Sequence, residues 1–142
     1  MEEFDISSIL KSFKSELPSE NLSGYWIGHN SDKNYKRHTN YGGKWLIFSS
    51  KENIDGDWQK VKEAQDKGLL GDMSKVSTAI NYKQFKNHVI CVYTYDSNDK
   101  EDLLRVREGL KEAGFDKPIN YKRDIETIKG VYGSNNEFLL TI

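Results

Sequence analysis

One cysteine in 142 residues rules out an internal disulfide, which suits a reducing compartment and predicts a cytoplasmic protein. Cys91 lies inside an apolar run and reads as a small buried residue, not a nucleophile. No apolar stretch approaches the ~20 residues of a membrane span, so no membrane partner is expected. The first residues, Met-Glu-Glu-Phe-Asp, are acidic where a signal peptide would be basic. A net charge of -1 gives no whole-chain field to draw nucleic acid or anionic lipid. Phosphate-loop and dinucleotide glycine patterns are missing, as are a zinc cysteine pair, H-E-x-x-H and G-x-S-x-G. His29, His38 and His88 are scattered, so neither a metal nor a cofactor is expected.

What is present is a core and a soluble surface. The 36% apolar fraction, with 6 Phe, 3 Trp and 8 Tyr, is enough for one α+β domain spanning 1–142, and 30% of residues are charged. The stretch His88-Val-Ile-Cys-Val-Tyr-Thr-Tyr-Asp96 is rich in β-branched and aromatic residues and predicts a central strand. Alternation puts Ile90, Val92 and Thr94 on a face under helices. Val89, Cys91, Tyr93 and Tyr95 fall on the other, where two phenols line a groove.

The rest of the chain arranges itself around that strand. Ile6, Ile9, Leu10, Phe13 and Leu17 form one helical stripe ended by Pro18, so 1–18 is expected as an N-terminal amphipathic helix. Gly24–Ile27 reads as a short strand. The 28–43 loop mixes Lys33, Lys36 and Arg37 with Tyr35, His38 and Tyr41. It is either a solvated loop or a binding loop for phosphate, nucleotide or single-stranded nucleic acid. Lys44–Ser49 is a strand with Trp45 and Ile47 on one face and Lys44, Leu46 and Phe48 on the other. Lys44 is either an edge lysine or one that reaches into a groove. A helix over 55–67 follows, with Ile54, Trp58, Val61 and Gln65 on its inner face and Gly68 at its end. Residues 73–79 read as a strand in which Lys75 and Ser77 share a side opposite Val76, a pattern able to clamp an anion. Residues 81–87 read as a loop. Residues 99–113 predict a helix with Leu103, Val106, Leu110 and Ala113 inward and its acids at the positive end of the helix dipole. Arg105 and Arg107 are expected at the surface or in ion pairs. Residues 117–122 and 138–142 read as strands, and 123–132 as a turn or short helix. Helices separated by runs of strands favour an α+β fold with a mainly antiparallel sheet backed on one face by helices.

Gly43-Lys-Trp-Leu-Ile-Phe48, Lys75-Val-Ser-Thr78, Val89–Asp96, Asp102–Val106 and Tyr121-Lys-Arg-Asp-Ile-Glu-Thr-Ile-Lys-Gly-Val-Tyr132, taken as an ordered set, resemble the basophilic leukemia-expressed protein family over roughly 24–132. The resemblance implies a curved sheet like that of the mRNA-cap-binding translation initiation factor. Microbial members carry a phosphothreonine lyase label, whose chemistry would need a lysine base such as Lys75 or Lys44 and an acid among His29, His38 and His88. Trp26, Trp45 and Trp58 do not match a base-sandwiching pair, and Trp45 and Trp58 read as core, so cap recognition is not implied. The polar residues within these blocks, Lys44, Lys75, Ser77, Tyr93, Tyr95, Tyr121, Lys122 and Arg123, are the candidate ligand-binding set. Lys75 and Ser77 are expected to share a concave face with Tyr93 and Tyr95, with Lys122 or Arg123 at its rim. The expected function is a binding module for a phosphorylated ligand: a nucleotide, an RNA end or a phosphopeptide. The alternatives are a phosphate-ester enzyme and a protein-interaction domain with no small ligand.

Overall fold

The computed structural model of the chain describes residues 10–11, 14–31, 35–125 (residue 84 by its backbone only) and 139–142. Among them six strands form one sheet: β1 (Trp26–Asn30), β2 (Gly43–Ser49), β3 (Met73–Ser77), β4 (His88–Thr94), β5 (Asn120–Arg123) and β6 (Leu140–Thr141). The order across the sheet is β1-β3-β4-β2-β5-β6, with every neighbouring pair antiparallel. Three helices accompany it: α1 (Ile54–Asp66), α2 (Ala79–Phe85) and α3 (Lys100–Glu112). This is the α+β class expected, a curved antiparallel sheet with helices. The stretch 88–94 is a central strand, paired with β2 on one side and β3 on the other.

Strand alternation decides where the core sits. Trp45, Ile47, Val76, Ile90 and Val92 pack with Ile54, Trp58 and Val61 of α1 and Leu103, Val106 and Leu110 of α3. Each side chain of this size, taken out of water, contributes about 1.5–3 kcal/mol. The Trp45 indole N–H donates to the Leu103 carbonyl at 3.1 Å, which fixes α3 over β2. Gly109 lets α3 lie against the Leu69 carbonyl, where any Cβ would overlap it. Asp99 caps α3 by accepting the Asp102 N–H at 3.1 Å.

Two expectations change. Residues 79–85 are a helix rather than part of a loop. Its buried position Asn81 is polar and spends its amide on the Tyr25 carbonyl at 2.8 Å, so no apolar stripe marks the turn. Lys86 ends it in the left-handed region at φ 57°. Arg107 is 1% exposed rather than at the surface. Its guanidinium donates to the carbonyls of Phe115 (2.7 Å), Lys117 (2.8 Å) and Ile142 (3.1 Å). It thereby binds α3 to the segment before β5 and to the chain end. The expected 1–18 helix lies largely outside the described residues; Leu10 and Leu17, which are described, are exposed. The turn expected over 123–132 also lies mostly outside them. Among the described residues no helix is long and apolar enough to cross a membrane.

Candidate ligand-binding face

The sheet's other face is read by counting pairs across it. The register aligns Trp26 with Ser77 and Phe48 with Val89. One step of two residues along, Gly28, Lys75, Cys91, Leu46 and Asn120 form a second row. A third row holds Tyr93, Lys44 and Lys122. Period-2 alternation puts all of these on the side away from α1 and α3. Lys44, Lys75, Ser77, Tyr93 and Lys122 therefore share one face, although they come from four strands.

Tyr93 is the hub. The Lys44 and Lys75 ammonium groups lie 5.6 and 5.9 Å from its ring centroid, within cation–π range. Lys75 also sits 4.0 Å over the Trp26 ring. Lys44 pairs with Asp124 at 2.9 Å and stands beside Lys122 in the register. Lys44, Lys122 and Tyr93 are buried, whereas Lys75 is half-buried and is the cation that solvent reaches. Burial pushes the Tyr93 hydroxyl well above the usual phenol range. It pushes the Cys91 thiol up to about 11, with Lys75 and Lys44 both acting in the opposite direction. Lys75 and Lys44 thus both act on the middle of the face, with Asp124 opposing them.

The remaining candidates are engaged within the fold or lie elsewhere. Ser77 is buried, and its hydroxyl accepts the Val89 N–H at 2.8 Å, which is a structural bond. Tyr121 lies on the helix side, 0% exposed, edge-on to Trp45 with centroids 5.1 Å apart. Its hydroxyl shares a 2.6 Å hydrogen bond with Thr94, and burial raises it to about 12. Gly43 makes room for that ring, since a Cβ there would overlap it. Tyr121 cannot belong with Lys122, because adjacent strand residues point opposite ways. Arg123 follows the side of Tyr121, opposite Gly43.

Tyr95 lies past the end of β4 and joins the 35–42 loop. It hydrogen-bonds Asp99, meets Tyr35 edge-on at 5.8 Å and has Lys36 over its ring at 5.2 Å. The bond to Asp99 raises the Tyr95 phenol and lowers the Asp99 carboxyl. Tyr35 donates to Asp102, and His38 pairs with Asp72 at 2.7 Å. Several rings and cations of this loop therefore have partners inside the fold. His29 pairs with Asp66 at 2.8 Å. Among the described residues no group of three or more acids, histidines or cysteines is arranged to hold a metal.

Sequence reasoning missed Trp26 as a neighbour of Lys75. Their strands pair in space but are distant along the chain, and only a correct β1–β3 register would have revealed the contact.

Solved structures of similar shape include complexes of the translation factor eIF4E. Schistosome eIF4E complexed with m7GpppA and 4E-BP aligns at a TM-score of 0.57 and 14% identity over 72% of this chain and 59% of that one. Caenorhabditis elegans eIF4E-3 with the 4E-binding protein Mextli and a cap analog gives 0.53 and 14% over 72% and 57%. Ascaris suum eIF4E-3 with m7G cap gives 0.57 and 17% over 100% and 83%. This chain spans less than two thirds of the schistosome and C. elegans proteins. At these identities the likeness establishes the fold, the one that the sequence blocks implied. A family model for the basophilic leukemia-expressed protein Bles03 matches residues 36–128, and the chain belongs to that family.

Proposed function

We propose that this chain is a binding module for a phosphorylated ligand, which it engages through the lysine end of the face away from the helices. The observation that carries the reading is the convergence of Lys44 and Lys75, from two strands, on Tyr93, with Lys122 of a third strand beside Lys44. A core strand needs no lysine. An anion held between such groups receives charge-assisted hydrogen bonds. Lys75, half-buried, is the point of entry. Ligands with phosphate are carried by several of the eIF4E structures that share the fold, which lends support by analogy. The buried free thiol of Cys91 suits a cytoplasmic setting.

Binding fits the geometry better than elimination chemistry does. An elimination would need a histidine acid near a lysine base. His29 and His38 are engaged with Asp66 and Asp72, and the ring of His88 is buried against Tyr82.

Amide chemical-shift mapping with inorganic tripolyphosphate, nucleotides and phosphopeptides tests the proposal. Signals of Lys44, Lys75, Cys91 and Tyr93 are expected to move, and Lys75→Gln should weaken binding at least several-fold. If none of these signals moves at millimolar ligand, the proposal is wrong.

A further inference from the structure

Among the described residues β1 is an outermost strand of the sheet and pairs with β3 alone. Its ladder has a fixed phase. The Thr78 N–H donates to the Tyr25 carbonyl at 3.1 Å, and the Ser31 N–H to the Asp72 carbonyl at 2.8 Å. Antiparallel pairs alternate between bonded and non-bonded residues, so Tyr25, Ile27, His29 and Ser31 turn their backbone groups toward β3. Trp26, Gly28 and Asn30 turn theirs outward, and all three residues are exposed. The edge therefore offers a row of alternating donors and acceptors. Sheets commonly guard such a row with lysine, proline or a bulge. Trp-Ile-Gly-His-Asn holds neither lysine nor proline, and its register with β3 runs without a bulge.

Another extended backbone meets a row of this kind, and symmetry selects which one. The three outward residues are centred on Gly28 and are self-complementary. A second copy running antiparallel sets Trp26 against Asn30 and Gly28 against Gly28, which uses every outward group and makes about six hydrogen bonds. A register shifted by two residues leaves an outward residue of each copy unmatched. Glycine at the centre puts no side chain at the crossing. The two-fold axis stands normal to the sheet, so the two α1 helices lie on one side of it and run in opposite directions. Lys62 and Asp66, one turn apart on α1, line the groove beside the edge together with Glu16. The opposed directions turn each Lys62 toward an acid of the other copy, so the rims are complementary in charge. Head-to-tail growth is disfavoured, because the strand at the sheet's other end, β6, has only two residues.

We infer that two copies of this chain associate through β1 into one continuous antiparallel sheet, with the two-fold axis at Gly28. The pairing does not depend on the phosphate reading, but it joins the faces on which that reading rests. Lys75 lies opposite Gly28 in the register. The Lys75 residues of the two copies thus look at each other across a floor of two glycines, three strand spacings or about 14 Å apart.

Sedimentation equilibrium of the full chain tests the inference. At high micromolar concentration the wild type is expected to approach twice the 16.4 kDa mass of the chain. Gly28→Pro removes the central outward N–H, which has no partner among the described residues, and an edge strand tolerates proline at such a position. There is room for a Cβ, whose nearest neighbour is the Ser74 carbonyl at 4.0 Å. The variant is expected to be a folded monomer, as circular dichroism verifies, while Gly28→Ala keeps the N–H and still dimerises. Hydrogen exchange reads the same edge without a mutation. Raising the concentration from low to high micromolar should slow the Trp26, Gly28 and Asn30 amides about tenfold, while Ile27 and His29 stay protected throughout. A wild type that remains monomeric at millimolar concentration overturns the inference. So does a folded Gly28→Pro that still dimerises, or a dimer in which the three outward amides exchange freely.

Discussion

Trp45 and Phe48 stand three residues apart on β2 and face opposite ways. Trp45 is 0% exposed, packed on Tyr121 and hydrogen-bonded to α3, while Phe48 is 58% exposed. The same contrast runs across the whole sheet. On the helix side, apolar side chains interlock, and the buried Arg107 guanidinium among them is met by three carbonyls. On the other side, the face carries lysines at one end and bare aromatic rings at the other. Burial of the helix side accounts for the fold. Nothing in folding requires the composition of the other side, which is why the ligand is sought there.

The sharpest way to break this division is to cut into the helix side. Trp45→Ala removes a fully buried indole and its hydrogen bond, and is expected to cost about 3–5 kcal/mol in urea unfolding. A loss under about 1 kcal/mol would show that the core has been placed on the wrong face. Arg107→Met keeps most of the stem's bulk but removes the guanidinium donors to the Phe115 and Lys117 carbonyls and one of the two donors to that of Ile142. The expected cost is about 2 kcal/mol, on the order of one or two part-buried acceptors losing their donor. Hydrogen exchange should rise first in β5 and β6. A variant as stable as the wild type would mean that water replaces the guanidinium at no cost.

The features that were legible in the sequence are those with a clean period. Ile90 and Val92, Trp45 and Ile47, and Leu103, Val106 and Leu110 alternate or recur as their elements demand, so their inward faces could be named in advance. Residues 79–85 escaped because their buried position is Asn81, whose reason to be inside is a carbonyl on another segment. Arg107 escaped for the same reason, since a charged residue on a helix reads as surface until its acceptors are known. On the candidate face, alternation within one strand correctly joined Lys75 to Ser77 and opposed both to Val76. Tyr121 and Lys122, both candidates, point opposite ways, because strand neighbours cannot share a side. The Lys75–Trp26 contact depends on register between distant strands, and no local pattern encodes that.

Alkali should act on both faces in turn. Burial holds the Cys91 thiol at about 11, against 9.0 for the free group, and the Tyr121 phenol at about 12, against 10.0. Both folded values are raised, so the folded state keeps protons that the unfolded chain has released. Their stabilisation is complete below pH 9 and is lost as pH climbs through the 9–12 window. The combined fall is expected to approach about 5 kcal/mol by the top of that window. Cys91→Ala should remove its earlier part and Tyr121→Phe its later part. A flat stability profile between pH 9 and 11 would contradict the burial of Cys91.

The smallest effect on stability is also the most telling. Phe48→Ser changes a residue on the same strand as Trp45, but one that already faces water, so unfolding free energy should move by no more than about 0.5 kcal/mol. Serine is less suited than phenylalanine to a strand, and that modest propensity loss is the main expected penalty. Paired with Trp45→Ala, the variant measures the asymmetry of β2 directly, with several kcal/mol on one face and almost nothing on the other. If Phe48→Ser instead destabilises the protein by more than about 2 kcal/mol, its ring is covered in solution and belongs to the core rather than to the open face.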